Sequence, residues 1–235
     1  ELVDMEFVQY HPTHAWWPYG VRGSVSESFR SEGGRLLNAN GERFMQRYDP
    51  EKMELATRDK VSVCIFKEIL AGRGAPHGGI YASVAHLPPD YIENRLRVIF
   101  RKYLSYGIDI RKDPIEVRPR PHYHCGGVKI DARGATRVPG LFAGGAVTGG
   151  VHGANRLGSN ALVDILVFGE IAGTSAAEYA AGVPDSLPSA SAQAAEVERQ
   201  IASLMEQNPS NPVYAADIRR RHVELMDRYM GVLRT

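Results

Sequence analysis

The stretch Gly149-Gly150-Val151-His152-Gly153-Ala154-Asn155-Arg156-Leu157-Gly158-Ser159-Asn160-Ala161-Leu162 decides how the rest of the chain is read. Its glycines let a backbone approach a ligand closely, and Arg156 offers a planar fork matched to a carboxylate. The apolar run that begins near Ala161 predicts a helix, which leaves the backbone N–H groups of Ala161 and Leu162 at its positive end. A cation in a glycine-rich loop that leads into a helix N-terminus can hold two negative groups side by side.

Downstream of this loop, Ala161 to Ala180 reads as a long helix rich in small residues. Beyond Gly182 a Pro/Ser/Ala stretch reads as a linker, and Ala194 to Glu206 and Ala215 to Leu233 have the spacing of amphipathic helices. Upstream, Val138-Pro139-Gly140-Leu141-Phe142-Ala143-Gly144-Gly145 reads as a buried strand ending at a ligand face. Before it, Arg118-Pro119-Arg120-Pro121-His122-Tyr123-His124-Cys125-Gly126-Gly127 is a proline-stiffened approach to a glycine pair, followed by a short strand pair and turn.

The chain ahead of Arg118 has a different texture. Leu2 to Tyr10 predicts a strand that delivers His11 and Pro12 to a turn. Arg35-Leu36-Leu37, Asn38-Ala39-Asn40-Gly41 and Glu42-Arg43-Phe44-Met45 together predict a hairpin, because asparagine and glycine tolerate the positive φ of tight turns. One helix is expected over Glu54 to Ala71. A second follows Pro88-Pro89-Asp90, with Ile92, Leu96, Ile99, Phe100 and Tyr103 on one face. These elements predict a compact α+β unit to about residue 118.

With 235 residues, 43% hydrophobic and 23% charged, the composition is that of a folded chain and not of a disordered one. A formal charge of +1 argues against a general polyanion binder, so no nucleic-acid partner is expected and any anion site must be local. Cys64 and Cys125 lie far apart without ligand spacing, so no metal site is expected. No apolar run reads as long enough to span a bilayer, and the chain, which opens on Glu1, reads as an excerpt of a longer protein.

Five short motifs recur in one order: QYHPT with His11, SESFRSEGG with Ser26, Glu27 and Arg30, ATRDKVS with Arg58, PRPHYHCGG with His122, and HGANRLGSNAL with Arg156. Each is weak alone, but their ordered recurrence closely resembles the succinate dehydrogenase/fumarate reductase flavoprotein family. The resemblance implies an α+β capping domain over residues 1–118 and the returning part of an α/β FAD-binding domain over 119–183. The start of a helical C-terminal domain would occupy 184–235, and the dinucleotide-binding segment would lie upstream. FAD is the implied cofactor.

A dicarboxylate brings two charges that must leave water, so its site needs cations or hydrogen-bond donors at both ends. On the resemblance, His122 and Arg156 hold one carboxylate, and His11 and Ser26 hold the other. Arg58 delivers the proton, with Glu27 and Arg30 as its relay to solvent. The spacing of Glu27 and Arg30 suits one helical turn, although a strand or loop is equally compatible. Guanidinium is a poor acid at neutral pH, so Arg58 would have to give up its proton only as carbanion character develops.

On the cofactor side, the N–H groups of Ala161 and Leu162 would face the pyrimidine edge of the flavin, and Ala146 stands where the family carries an FAD-binding glutamate. The implied partner is an iron–sulfur subunit, with a cytoplasmic location and membrane contact only through partner subunits. L-Aspartate oxidase is the nearest enzymatic alternative, and a noncatalytic flavoprotein relative is another. His86 and His124 read as structural, Cys64 as packed core, and Arg219-Arg220-Arg221-His222 as a solvated or partner-facing helix face.

Overall fold

A computed structural model describes residues 1–184, 191–206 and 213–233. The expected linker after Gly182 lies largely outside the described residues. The architecture is mixed α/β. Strands β2 (Val8–Trp17), β3 (Arg35–Leu37), β4 (Ile80–Ser83) and β5 (Ile115–His124) form an antiparallel sheet in the order β2-β5-β4-β3. Strands β1 (Leu2–Val3) and β6 (Gly127–Val128) form a separate antiparallel pair.

Helices α1 (Glu27–Ser31), α2 (Met45–Tyr48), α3 (Arg58–Glu68), α4 (Pro89–Arg95) and α5 (Arg97–Leu104) accompany the larger sheet. They bury one contiguous core with it. Phe29, Leu36, Met45, Ile65, Ile80, Ile92, Ile115 and Val117 are essentially inaccessible there. Buried charge pins the same unit together. The Glu68 carboxylate, at the end of α3, accepts from Asn38, Arg47, Tyr48 and Arg73 at 2.7–2.9 Å. Those bonds, those of Arg73 first, outweigh burial and hold its carboxyl at about 2.

The predicted hairpin is corrected. The Asn38 turn forms, its side-chain carbonyl accepting from the N–H groups of Asn40 and Glu42, but β3 pairs with β4 (Leu36 opposite Ala82) and the returning arm leads into α2. The turn chemistry is local, whereas the pairing partner lies far along the chain. The helix expected over Glu54–Ala71 is interrupted at Ala56, starts again at Arg58 and ends in a π-helical turn, Ile69–Arg73. The second expected helix breaks at Leu96 into α4 and α5, although Ile92, Leu96, Ile99 and Tyr103 are buried as predicted.

After β6 the chain is mostly turns up to α6 (Asn160–Ala181), followed by α7 (Ser191–Glu206) and α8 (Ala215–Tyr229). Val138–Gly145 is not a buried strand: Val138 is 57% and Leu141 52% exposed, with only a single bridge between Ala135 and Phe142. Around Gly127 the backbone is crowded, since a Cβ there would lie 2.2 Å from the Val147 carbonyl oxygen, and only glycine fits. Helix α6 also corrects the sequence reading, being long and apolar enough to cross a membrane by length and composition alone. One of its faces packs on the preceding turns, where Cβ atoms built on Gly134 and Gly144 would meet Ala172 and Phe168. Helix α8 is tied to β2 by Tyr10, whose hydroxyl donates to the Met230 carbonyl at 2.9 Å.

Candidate active site

The site forms where β2 and β5 meet the first turns of α1 and α3 and the loop before α6. Along β2, Gln9 and His11 share a face because strand side chains alternate. Opposite them, β5 carries one unmatched residue: Gln9 faces Tyr123 and Tyr10 faces Pro121, leaving His122 between. Such a bulge re-aims a side chain. The His122 ring lies 5.2 Å from that of His11.

Arg58 is the first residue of α3, where a cation meets the positive end of the helix dipole. A carboxylate offsets that placement: Arg58 Nη2 donates to Glu27 Oε2 at 2.8 Å. Glu27 opens α1, and Arg30 on the same helical turn donates to its other oxygen at 3.3 Å. Arg30 also donates to the Glu54 carbonyl at 2.7 Å. Glu27, Arg30 and Arg58 are thus contiguous. A Cβ on Gly158 would sit 3.0 Å from Glu27 Oε2, so the Arg156 loop closes directly over this carboxylate.

Gln9 joins Arg58 to Arg156. Its Oε1 accepts from Arg58 at 3.2 Å and from Arg156 at 3.3 Å. Its Nε2 donates to Asn155 Oδ1 at 2.7 Å and to the Arg156 carbonyl. Asn155 in turn donates to Asp59 Oδ1 at 2.7 Å, stitching the loop to α3. The sequence reading singled out only His11 in QYHPT. The available signal for Gln9 was the two-residue strand period, which puts it on the same face as His11.

Arg30, Arg58 and Arg156 are all largely buried, with side chains 1% and 12% exposed for the first two and Arg156 5% exposed as a residue. Against them stands one carboxylate in direct contact, Glu27. Nε of each arginine, Nδ1 of His11 and the Tyr123 hydroxyl are buried without a hydrogen-bond partner among the described residues. Unpaired buried charge costs several kcal/mol, and a bound dianion would relieve it. Burial, then Arg58, then His122 hold the His11 imidazole at about 3, so it is neutral near pH 7. Burial and the charges of Arg58 and Arg156 also lower His122. Burial pushes Glu27 up, but its hydrogen bond to Arg58 and the surrounding cations bring its carboxyl below the usual value. The arrangement can therefore grip carboxylates with fixed cations while keeping its histidines neutral, and it places a carboxylate beside one arginine.

The remaining expected residues lie outside this knot. Ser26 precedes α1, exposed, and its hydroxyl pairs with that of Ser28 at 2.5 Å. Ala146 sits on an exposed turn beside α6, where a Cβ on Gly145 would meet Ile165. Ala161 is half-buried in the first turn of α6. The N–H of Leu162 already donates to the Ser159 carbonyl at 2.9 Å. Ser159 holds φ +66°, a strained value for a non-glycine residue and a frequent mark of a functional turn. A Cβ on Gly150 would meet no atom within 4 Å, so this loop has open room for a ligand. Among the described residues no group of three or more His, Cys, Asp or Glu is arranged to hold a metal.

Comparison with known proteins shows the family of the chain. The FAD binding domain family matches residues 1–162. A CoM/CoB-type fumarate reductase chain from Methanothermobacter marburgensis is 54% identical over 181 residues, covering 77% of this chain and 33% of that protein. The fumarate reductase flavoprotein subunit of Escherichia coli is 40% identical over 254 residues, covering 100% of this chain and 41% of its own length. A solved structure of E. coli quinol fumarate reductase superposes with a TM-score of 0.89 at 39% identity, covering 99% of this chain and 42% of that one. The chain spans roughly a third to two fifths of the length of these curated relatives.

Proposed function

Because the chain belongs to the FAD binding domain family of succinate dehydrogenase and fumarate reductase flavoproteins, we propose that it forms the dicarboxylate site of an enzyme interconverting succinate and fumarate. The observation that carries this reading is the surplus of buried cation: Arg30 and Arg58 share the one carboxylate of Glu27, Arg156 joins them through Gln9, and Nε of all three has no hydrogen-bond partner among the described residues. A dianion with a carboxylate at each end matches that surplus.

In this reading Arg156 and His122 take one carboxylate, and His11, neutral and donating a hydrogen bond, takes the other with Ser26. Arg58 gives a proton to the substrate carbon, and Glu27 with Arg30 restores it. The 2.8 Å bond from Arg58 to Glu27 supports that relay, and Glu27, 49% exposed on its side chain, supports its exit to water. Gln9 holds Arg58 and Arg156 at a fixed separation, so that proton donor and carboxylate clamp meet one substrate together.

FAD, when bound, supplies the hydride acceptor or donor. The residues present fit its ring end: the strained Ser159 turn, the first turn of α6 with Ala161, and the open loop around Gly150. Leu162 would contribute through its N–H only if the bond to Ser159 opened, and Ala146 flanks the same helix. The domain division stands with this proposal: residues 1–118 as cap, 119–183 as the returning part of the FAD domain and 184–235 as the start of a helical domain. An iron–sulfur subunit is the proposed electron partner. It would bring a cytoplasmic flavoprotein to the membrane face through the assembled complex, and the isolated 235-residue chain would be inactive. Steady-state assays of the full-length protein with succinate, fumarate and L-aspartate test the assignment. Turnover of the succinate–fumarate pair is expected, and oxidation of aspartate alone would overturn it.

A further inference from the structure

A second buried group lies behind the arginine cluster and takes no part in the chemistry above. His152 and Asp164 are 7% and 2% exposed on their side chains, and His152 Nε2 lies 3.2 Å from Asp164 Oδ2. His152 belongs to the glycine-rich loop, whereas Asp164 belongs to the first turns of α6. The His152 ring stands edge-on to Tyr123, with centroids 5.6 Å apart at 72°. The Arg156 guanidinium lies 4.4 Å from the centroid of that same Tyr123 ring.

We propose that His152 and Asp164 are positioning residues for Arg156, acting through the ring of Tyr123. The inference rests on the reading of Arg156 as a carboxylate-binding group. Gln9 Oε1 constrains the guanidinium from one direction, and the Tyr123 face constrains it from another, so the tilt of that ring fixes where the cation presents its fork. The edge of His152 sets the tilt, and Asp164 sets the orientation of His152. The Tyr123 hydroxyl and Asp164 Oδ1 are both buried and unbonded among the described residues, so Asp164 acts on the phenol through its charge and not through a hydrogen bond. Burial first, and then the charge of Asp164, raise the Tyr123 phenol above its ordinary value. Negative charge beside the phenol also enriches the ring face on which the cation rests, and a desolvated cation–π contact responds to that.

The test uses the full-length flavoprotein, with malonate as a non-reacting dicarboxylate followed by calorimetry. Asp164→Asn and His152→Gln should each weaken malonate binding about fivefold, and Tyr123→Leu about tenfold, while Tyr123→Phe keeps most of the affinity. In an Arg156→Lys background, Asp164→Asn should cause no further loss, because the residue it positions is already gone. Additive losses would overturn the proposal. A second readout does not depend on the substrate: ultraviolet titration of the Tyr123 phenol, identified by difference against Tyr123→Phe, should move to lower pH in Asp164→Asn. An unmoved phenol also overturns the proposal. If the phenol moves but the parent protein binds no malonate, the column stands and the dicarboxylate reading falls.

Discussion

The sheet unit ahead of residue 118 and the stretch around α6 are built on opposite terms. In the first, apolar side chains from β2 to β5 close on one another, and Ile65, Leu36, Ile80 and Val84 are fully inaccessible. In the second, α6 is apolar yet open: Leu162 is 63%, Val163 57% and Leu166 71% exposed, and its buried residues are Asp164, Ala172 and Ser175. The first unit generates its own interior, whereas the second presents apolar surface with nothing against it among the described residues. The site sits on the seam. The residues proposed to handle the proton come from the closed unit and the arginine proposed to hold a carboxylate from the open one, so the geometry of the site depends on how the two meet.

The most severe break should fall at the seam. Arg58→Lys in the full-length protein is expected to cut fumarate reduction by at least about a thousandfold, with dicarboxylate binding largely retained. Unchanged turnover would remove Arg58 from the chemistry. Next comes Glu68→Gln, which leaves Arg47 and Arg73 facing a neutral amide. It should destabilise the closed unit by about 3–5 kcal/mol, read by urea denaturation. Ile65→Ala should lower stability by about 2–5 kcal/mol through an unfilled cavity.

A smaller effect is set by protons. His11 resists protonation down to about 3 in the folded chain against 6.5 ordinarily, so below that ordinary value the unfolded chain binds a proton the native site refuses. Stability should therefore fall as pH drops through this window, by up to about 1.4 kcal/mol per pH unit, and His11→Gln should flatten the slope. The smallest effect belongs to the open region. Leu166→Ala should change the stability of the 235-residue chain by less than about 0.5 kcal/mol. In the full-length protein, where the proposed remainder of the flavoprotein covers α6, the same substitution should cost about 2 kcal/mol or more. Equal effects in both backgrounds would erase the contrast between the two regions.

What the sequence revealed follows the same division. Helices α6, α7 and α8 are legible from periodicity because each is a single local element. The pairing of β3 with β4 is not, since strand partners are chosen over long separations and Ile80–Ser83 carries no distinguishing pattern. In the site, the charged residues are legible because each stands in a short motif whose order along the chain resembles that of a known family. Gln9 does not, because its importance lies in bridging two arginines that the linear chain places 49 and 147 residues away from it. The Leu162 N–H, legible as a free donor from the helix pattern, is already taken by Ser159.

The unmatched His122 on β5 has a further consequence. A strand that keeps strict alternation tolerates exchange of any one side chain without disturbing its neighbours. The residues on either side of an odd one already sit in regular pairing, Pro121 opposite Tyr10 and Tyr123 opposite Gln9, so deletion of His122 would close the bulge, leave both faces of the ribbon as they are and remove only the imidazole. The bulge thus sets His122 apart from the ladder: its deletion should take away the ring that faces His11 while the pairing of β2 with β5 survives on both sides.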